Sequence, residues 1–434
     1  MFRAFFDALL YASLAAAAIG GAADAAQAAT PLRTESGRFG DLIARLAGSD
    51  YVLGDPAVDA RPYVDPEGSL NAFRHVAAAM AWGDIHDAAR HAEELDYEIV
   101  RFVDDATQRR YYVLRENLRA GRISRGWGSY IINPDSRIDA VVEAPHPLAD
   151  AQTPEIGAAV FVQSGARGYL LAGAHRLKAD VPDLVDSVFH QVHTAWIGPA
   201  GRVAAWQIHG FASYKHSFPH GAHVIASTGD GGIAPEVASL DAICEDQGLT
   251  SYVFNDRPAE SKANKRLNGD VPGVTFSALA ATANEQGRLS RSLGGSFVHV
   301  ELESRVRMDA VQAERASMVI AAAMSATLDR SLDGDGPAAT LAAYAHEVDP
   351  VRIGAAVPEP IEETGQPTTR VAFAVGAESN AGQQERPPIA AEPIAGEPAV
   401  AATNEAAPEI ARSNSPRPVR MDGARARRAR KRDS

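Results

Sequence analysis

From Arg137 to Arg307 short β-forming runs alternate with helix-forming stretches, and nothing else in the chain restricts its fold as much. The β runs are IDAVVEAPH, GYLLAGAH, RVAAWQIHGF, AHVIAST and SFVHVELE. Apolar spacing between and after them predicts helices over about 153–165, 183–196, 233–247, 274–287 and 308–330. Strands separated by helices of this length pair side by side through crossovers. The expectation is an α/β fold with a mixed, mostly parallel sheet, helices on both faces and ligands at the strand carboxyl ends. Ahead of this part, residues 40–95 carry helical apolar spacing, and YEIVRFV and RRYYVLRE flank DDATQ as a hairpin. GWGSYIINP at 126–134 reads as one more strand. A small helical and hairpin region over 29–125 therefore precedes an α/β domain over 126–347, with no Pro/Gly linker between them.

The two ends do not share this pattern. Residues 8–20 form a short apolar run behind Arg3, followed by the small-x-small pairs Ala-Asp-Ala at 23–25 and Ala-Gln-Ala at 26–28. This predicts a signal peptide over 1–28, because about 20 apolar residues are needed to span a bilayer. No later stretch is long and apolar enough for a membrane helix, so the expectation is an exported protein, periplasmic or secreted. From about Val348 the chain turns to Pro, Ala, Glu and Gly, which predicts a flexible tail over 348–434. Its end, Arg412 to Asp433, holds nine Arg/Lys against two Asp, and such a run suits an anionic surface. The whole chain has a formal charge of −13, which argues against a specific nucleic-acid partner. The single cysteine, Cys244, excludes an intrachain disulfide and a cysteine zinc site. A metal here must sit on histidine and carboxylate.

Two histidines stand where β runs break off. His146 follows AVVEAP and begins the loop HPLADAQT, and His209 follows VAAWQI and begins HGFASYKH. Both side chains can reach the same sheet edge. Asp150, four residues after His146, can fold back as an oxygen ligand, and Glu143 is the competing carboxylate. Two imidazoles, one carboxylate and an open position make a catalytic zinc site, where zinc lowers the pKa of water towards ~7. A general base is offered by SFVHVELESRVR, where His299, Glu301 and Glu303 share one strand face. Glu301 is the more enclosed and Glu303 the alternate nearer the strand end. A carboxylate in an otherwise apolar strand is costly unless it is paired or reactive. Arg176 closes GYLLAGAHR and suits a substrate carboxylate or a developing oxyanion. Asn284, Gln286 and Arg288 can add polar contacts, and TGDGG at 228–232 reads as a turn because it lacks phosphate-loop spacing.

These segments resemble the zinc-dependent carboxypeptidase and amidohydrolase superfamily, which includes the N-formylglutamate amidohydrolases and the poly-γ-glutamate hydrolases. VVEAPHPLAD is similar to its first metal loop, WQIHGF to the strand with the second metal histidine, and FVHVELESR to the late strand carrying the base. ARGYLLAGAHR resembles the strand that ends in a substrate-holding arginine. The resemblance covers about Arg137 to Arg307. It implies Zn2+ on His146, Asp150 and His209, with Glu301 as general base and Arg176 holding substrate. The chain departs from the carboxypeptidases at Ala149, where they place a glutamate, which leaves Asp150 or Glu143 to supply the second ligand.

The expected function is that of an exported zinc hydrolase acting on an amide bond near a free carboxylate, in a small peptide or an acylated amino acid. The alternative is an exported or cell-surface binding protein that keeps the fold without turnover. A zinc-buffering role would use His216, His220 and His223, but Pro219 and Gly221 break the helix that their spacing requires.

Overall fold

The computed structural model describes residues 31–66, 68–217 and 221–328. The chain falls into two units, Met1–Glu359 and Pro360–Ser434. The expected signal peptide and the Pro-rich tail with its basic end lie outside the described residues, as does His220. Among the described residues no helix is long and apolar enough to cross a membrane.

One ten-stranded sheet runs through the described part, in the order β1-β2-β3-β4-β6-β5-β7-β10-β8-β9. The strands are β1 (Thr34–Gly37), β2 (Tyr97–Asp104), β3 (Arg110–Glu116), β4 (Ser129–Ile132), β5 (Ile138–Ala144), β6 (Ala166–Leu171), β7 (Ala204–Phe211), β8 (Val224–Ser227), β9 (Ser251–Val253) and β10 (Phe297–Glu303). The parallel pairs are β1–β2, β6–β5, β5–β7, β7–β10 and β8–β9; the other four are antiparallel. The expected hairpin is β2–β3, and it joins the main sheet through β4.

Helices cover both faces. One layer holds α1 (Phe39–Leu46), α4 (Thr153–Ser164), α6 (Pro235–Asp246) and α10 (Ala310–Leu328), in which α10 packs on α4 and α6. The other holds α2 (Leu70–Trp82), α3 (Ile85–Glu94), α5 (Val188–Ile197) and α8 (Glu285–Ser292), in which α5 packs on α2 and α8. The short helices α7 (Lys262–Asn268) and α9 (Ser304–Met308) complete the set. α4 shows why the sequence starts and stops here. Pro154 pre-sets φ in the first turn, and Gly165 closes the helix in the left-handed region at φ 68°.

Some boundaries differ from the sequence expectation. The stretch 274–287 is a 3-10 turn over Gly273–Leu279 followed by α8, because Asn284 caps a new helix there. Residues 308–330 begin on Met308, the last residue of α9, and after a break at Asp309 the next helix, α10, starts. β1 (TESG) carries no apolar residue and β9 is three residues long, so neither shows as a strand in the sequence.

β5, β7 and β10 are central and buried on both faces, which suits their Val, Ile and Ala content. The chain leaves β5 for β6 on one side, then crosses to β7 on the other. Strand order reverses there, and the crevice beyond the carboxyl ends is where α/β sheets bind ligands.

Candidate metal centre

The polar residues of the central strands fall on one face, in register. Glu143 of β5 pairs with Gln207 of β7, and Gln207 pairs with His299 of β10. One step further along, His209 pairs with Glu301. Alternation puts Trp206, Ile208, Val298, Val300 and Leu302 on the opposite face, all buried.

His146 stands two residues beyond β5, in a turn that the Asp150 N–H closes onto the His146 carbonyl at 3.0 Å. The turn brings Asp150 Oδ2 to 3.2 Å from His146 Nδ1 and 3.6 Å from His209 Nδ1. The Gly210 N–H also donates to that oxygen, at 3.1 Å. A Cβ at position 210 would lie 2.4 Å from the Arg307 guanidinium and force it to move. Arg307 in turn donates to the carbonyls of Leu302, Phe211 and Ala151, tying the ends of β10 and β7 to the His146 turn.

Two donor groups overlap at His209. His146, Asp150 and His209 form one and His209, His299 and Glu301 the other, and in each the donor atoms lie within 4.8 Å of one another. The His146 and His209 rings are 4.7 Å apart and the His209 and His299 rings 4.4 Å. All five residues are buried, none more than 7% exposed.

The outer nitrogens are held from outside the group. His146 Nε2 lies 2.7 Å from Asp180 Oδ1, and Arg176 donates to Asp180 Oδ2 at 3.0 Å. His209 Nε2 lies 2.8 Å from Gln207 Oε1. Metal-bound histidines are oriented in this way, with one nitrogen on the ion and the other N–H on an acceptor. Zinc fits the donor chemistry, which is imidazole and carboxylate throughout. Buried polar atoms without a partner are costly, and His299 Nδ1 and Glu301 Oε2 are two of them.

Burial lowers His209 to about 4, with Asp150 opposing it, so the ring is neutral. Burial also pushes His299 well down. For His146 burial is outweighed by its hydrogen bonds to Asp150 and Asp180, and its pKa rises. Asp150 is held below the usual range by both histidines, against its burial. Glu301 is pushed up to about 8 by burial, then by the Asp150 charge.

The structure thus brings His146, Asp150, His209 and Glu301 together, and adds His299. Three of the residues singled out in the sequence sit elsewhere. Glu143 is turned away, accepting from His193 Nδ1 at 2.6 Å and Gln207 Nε2 at 2.9 Å. Glu303 caps α9 and accepts from Ser213, Ser304 and the Arg305 N–H. Arg176 does not close a strand, since β6 ends at Leu171; it stands on a later turn, about half exposed. His209 lies inside β7, two residues before its end. Sequence reasoning missed Asp180, which lies in a loop 34 residues from His146 with no motif around it. His299 was on the right strand face, and only the β7–β10 register shows that it reaches His209.

No family model matches the chain, and no curated protein does. Among solved structures it is similar to one described as a bacteriophage poly-gamma-glutamate hydrolase, at 11% identity and a TM-score of 0.23, over 45% of this chain and 86% of that one. A likeness that faint carries no weight for the chemistry, which rests on the donor atoms.

Proposed function

We propose that this protein is an exported zinc-dependent hydrolase that cleaves an amide or peptide bond near a free carboxylate. The observation that carries the reading is the buried convergence of three imidazoles and two carboxylates at the strand carboxyl edge, where His299 Nδ1 and Glu301 Oε2 have no hydrogen-bond partner. His146, Asp150 and His209 would hold the ion. When bound, zinc supplies Lewis-acid polarisation of the scissile carbonyl and acidifies the attacking water. Glu301 takes the proton from that water and returns it to the leaving amine. Its enclosure suits proton transfer near neutral pH, because burial raises its basicity. Arg176, partly exposed beside Asp180, takes the substrate carboxylate in a bidentate contact. Small peptides and acylated amino acids have the required amide and carboxylate. The basic tail end is proposed to hold the protein at an anionic surface.

A second reading draws on the same burial. Structural metal sites are closed and catalytic ones keep a position open, and the five donors here are almost shielded from solvent. The zinc would then brace a binding protein. The two readings separate by turnover: zinc-loaded full-length protein is assayed on N-acyl amino acids and γ-glutamyl peptides beside Glu301→Gln. Hydrolysis by the wild type and its loss in the variant supports the enzyme. Zinc bound with no hydrolysis of either class supports the binding protein.

A further inference from the structure

We propose that Asn284 and Gln207 are positioning residues: together they hold His209 as its Nε2–H tautomer, so that Nδ1 is the nitrogen offered to a divalent cation. The inference deepens the zinc reading above and rests on it for the cation, while the tautomer itself is a property of the metal-free protein.

The logic starts at a helix cap. Asn284 is the N-cap of α8, and its Oδ1 accepts from the Gly287 N–H at 2.8 Å. Its other amide atom is therefore the NH2 group, a donor only. That group meets Gln207 Oε1 at 2.6 Å. The far side of Gln207 fixes the same orientation, since its Nε2 donates to Glu143 Oε2 at 2.9 Å. Flipping Gln207 would set NH2 against NH2 at one end and oxygen against carboxylate at the other. Glu143 is itself anchored by His193, whose Nε2 lies 3.3 Å from Ser290 Oγ, again on α8. Glu143, Gln207 and His193 are fully buried and Asn284 is 3% exposed, so water does not compete for these bonds.

Gln207 Oε1 is left as an acceptor 2.8 Å from His209 Nε2, and only an N–H can be donated there. A neutral imidazole has one N–H. Nδ1 consequently keeps its lone pair, on the side of Asp150 Oδ2 and His146 Nδ1. His146 Nε2 likewise faces a fixed acceptor, Asp180 Oδ1 at 2.7 Å. Two elements that never touch the ion thereby choose the atom that does. Partners of this kind are worth about 10–100-fold in metal affinity when removed.

The test uses full-length protein labelled with 15N-histidine and stripped of metal by chelator, with the His209 signals assigned through their loss in His209→Gln. The wild type is expected to show protonated Nε2 and bare Nδ1 at His209. Asn284→Ser keeps a capping oxygen for α8 but removes the donor to Gln207; Gln207→Met keeps the length but removes the acceptor. Each is expected to shift the His209 signals towards a tautomer mixture and to weaken zinc binding by about 10-fold or more. Protonated Nδ1 in the wild type would overturn the proposal without any variant having to fold. So would variants whose His209 signals match the wild type. A wild type with protonated Nε2 that takes up no zinc supports the relay and overturns the zinc reading instead.

Discussion

Glu301 and Glu303 lie two residues apart on one face of β10 and meet opposite surroundings. Glu303 Oε1 accepts from the Ser213 N–H and hydroxyl at 3.2 and 2.9 Å, and Oε2 from the Arg305 N–H at 2.5 Å. Against its burial, these bonds lower it to about 2. Its contribution to stability is present above the ordinary value of 4.5 and is lost as pH falls towards 2. Glu303→Gln is expected to cost up to about 3 kcal/mol at neutral pH and little near pH ~2, read by denaturant melts at both. Glu301 Oε2 meets no donor, and burial pushes Glu301 up to about 8. Glu301→Gln is expected to lower amide turnover by about 10²–10⁴ while zinc content stays at the wild-type level, since its proposed role is proton transfer. Zinc lost along with activity would make it a ligand. In the sequence both carboxylates were visible as intruders in an apolar strand. The capping role of Glu303 was not, because Ser213 and Ser304 reach it only once β10 has ended and α9 begun.

At the scale of elements, α6 and the edge strand β9 meet through Asp241, whose Oδ1 accepts from Ser251 Oγ at 2.5 Å. Burial pushes Asp241 up to about 6, with the Ser251 bond opposing. A raised carboxyl favours the fold at low pH, and that favour is lost as pH rises through about 6. Asp241→Asn keeps an accepting oxygen and is expected to stabilise the protein by up to about 3 kcal/mol at pH ~8, with no gain at pH ~3. Thermal melts at the two pH values decide it, and an equal effect at both would contradict the burial argument. The central strands were legible because strands buried on both faces read as apolar runs. β9 was not, because Ser251–Val253 is three residues long and β8 is its one strand partner. α8 was misplaced because the apolar spacing of 274–287 hides the cap that starts it at Asn284.

For the whole described part, the sheet is continuous from β1 to β9, and the hairpin region is built into it. Trp196 of α5 donates to the Ala77 carbonyl in α2, and Tyr97 of β2 donates to the Gly128 carbonyl. Lys178 also reaches back to the carbonyls of Asp59 and Arg61. Deleting residues 31–125 would uncover β4 and the apolar face of α5, and is expected to abolish cooperative thermal unfolding. A fragment that still melts in one sharp transition would make that region separable. The α/β class followed from strand–helix alternation, whereas strand order, and with it the meeting of His146, His209 and His299, depends on crossovers that no local pattern encodes. Metal content bears most directly on the central claim: elemental analysis of full-length protein purified without chelators, beside the His146→Ala, His209→Ala double variant. About one zinc per wild-type chain that the double variant lacks is the expected result. Equal metal in both, or none in the wild type, would contradict it.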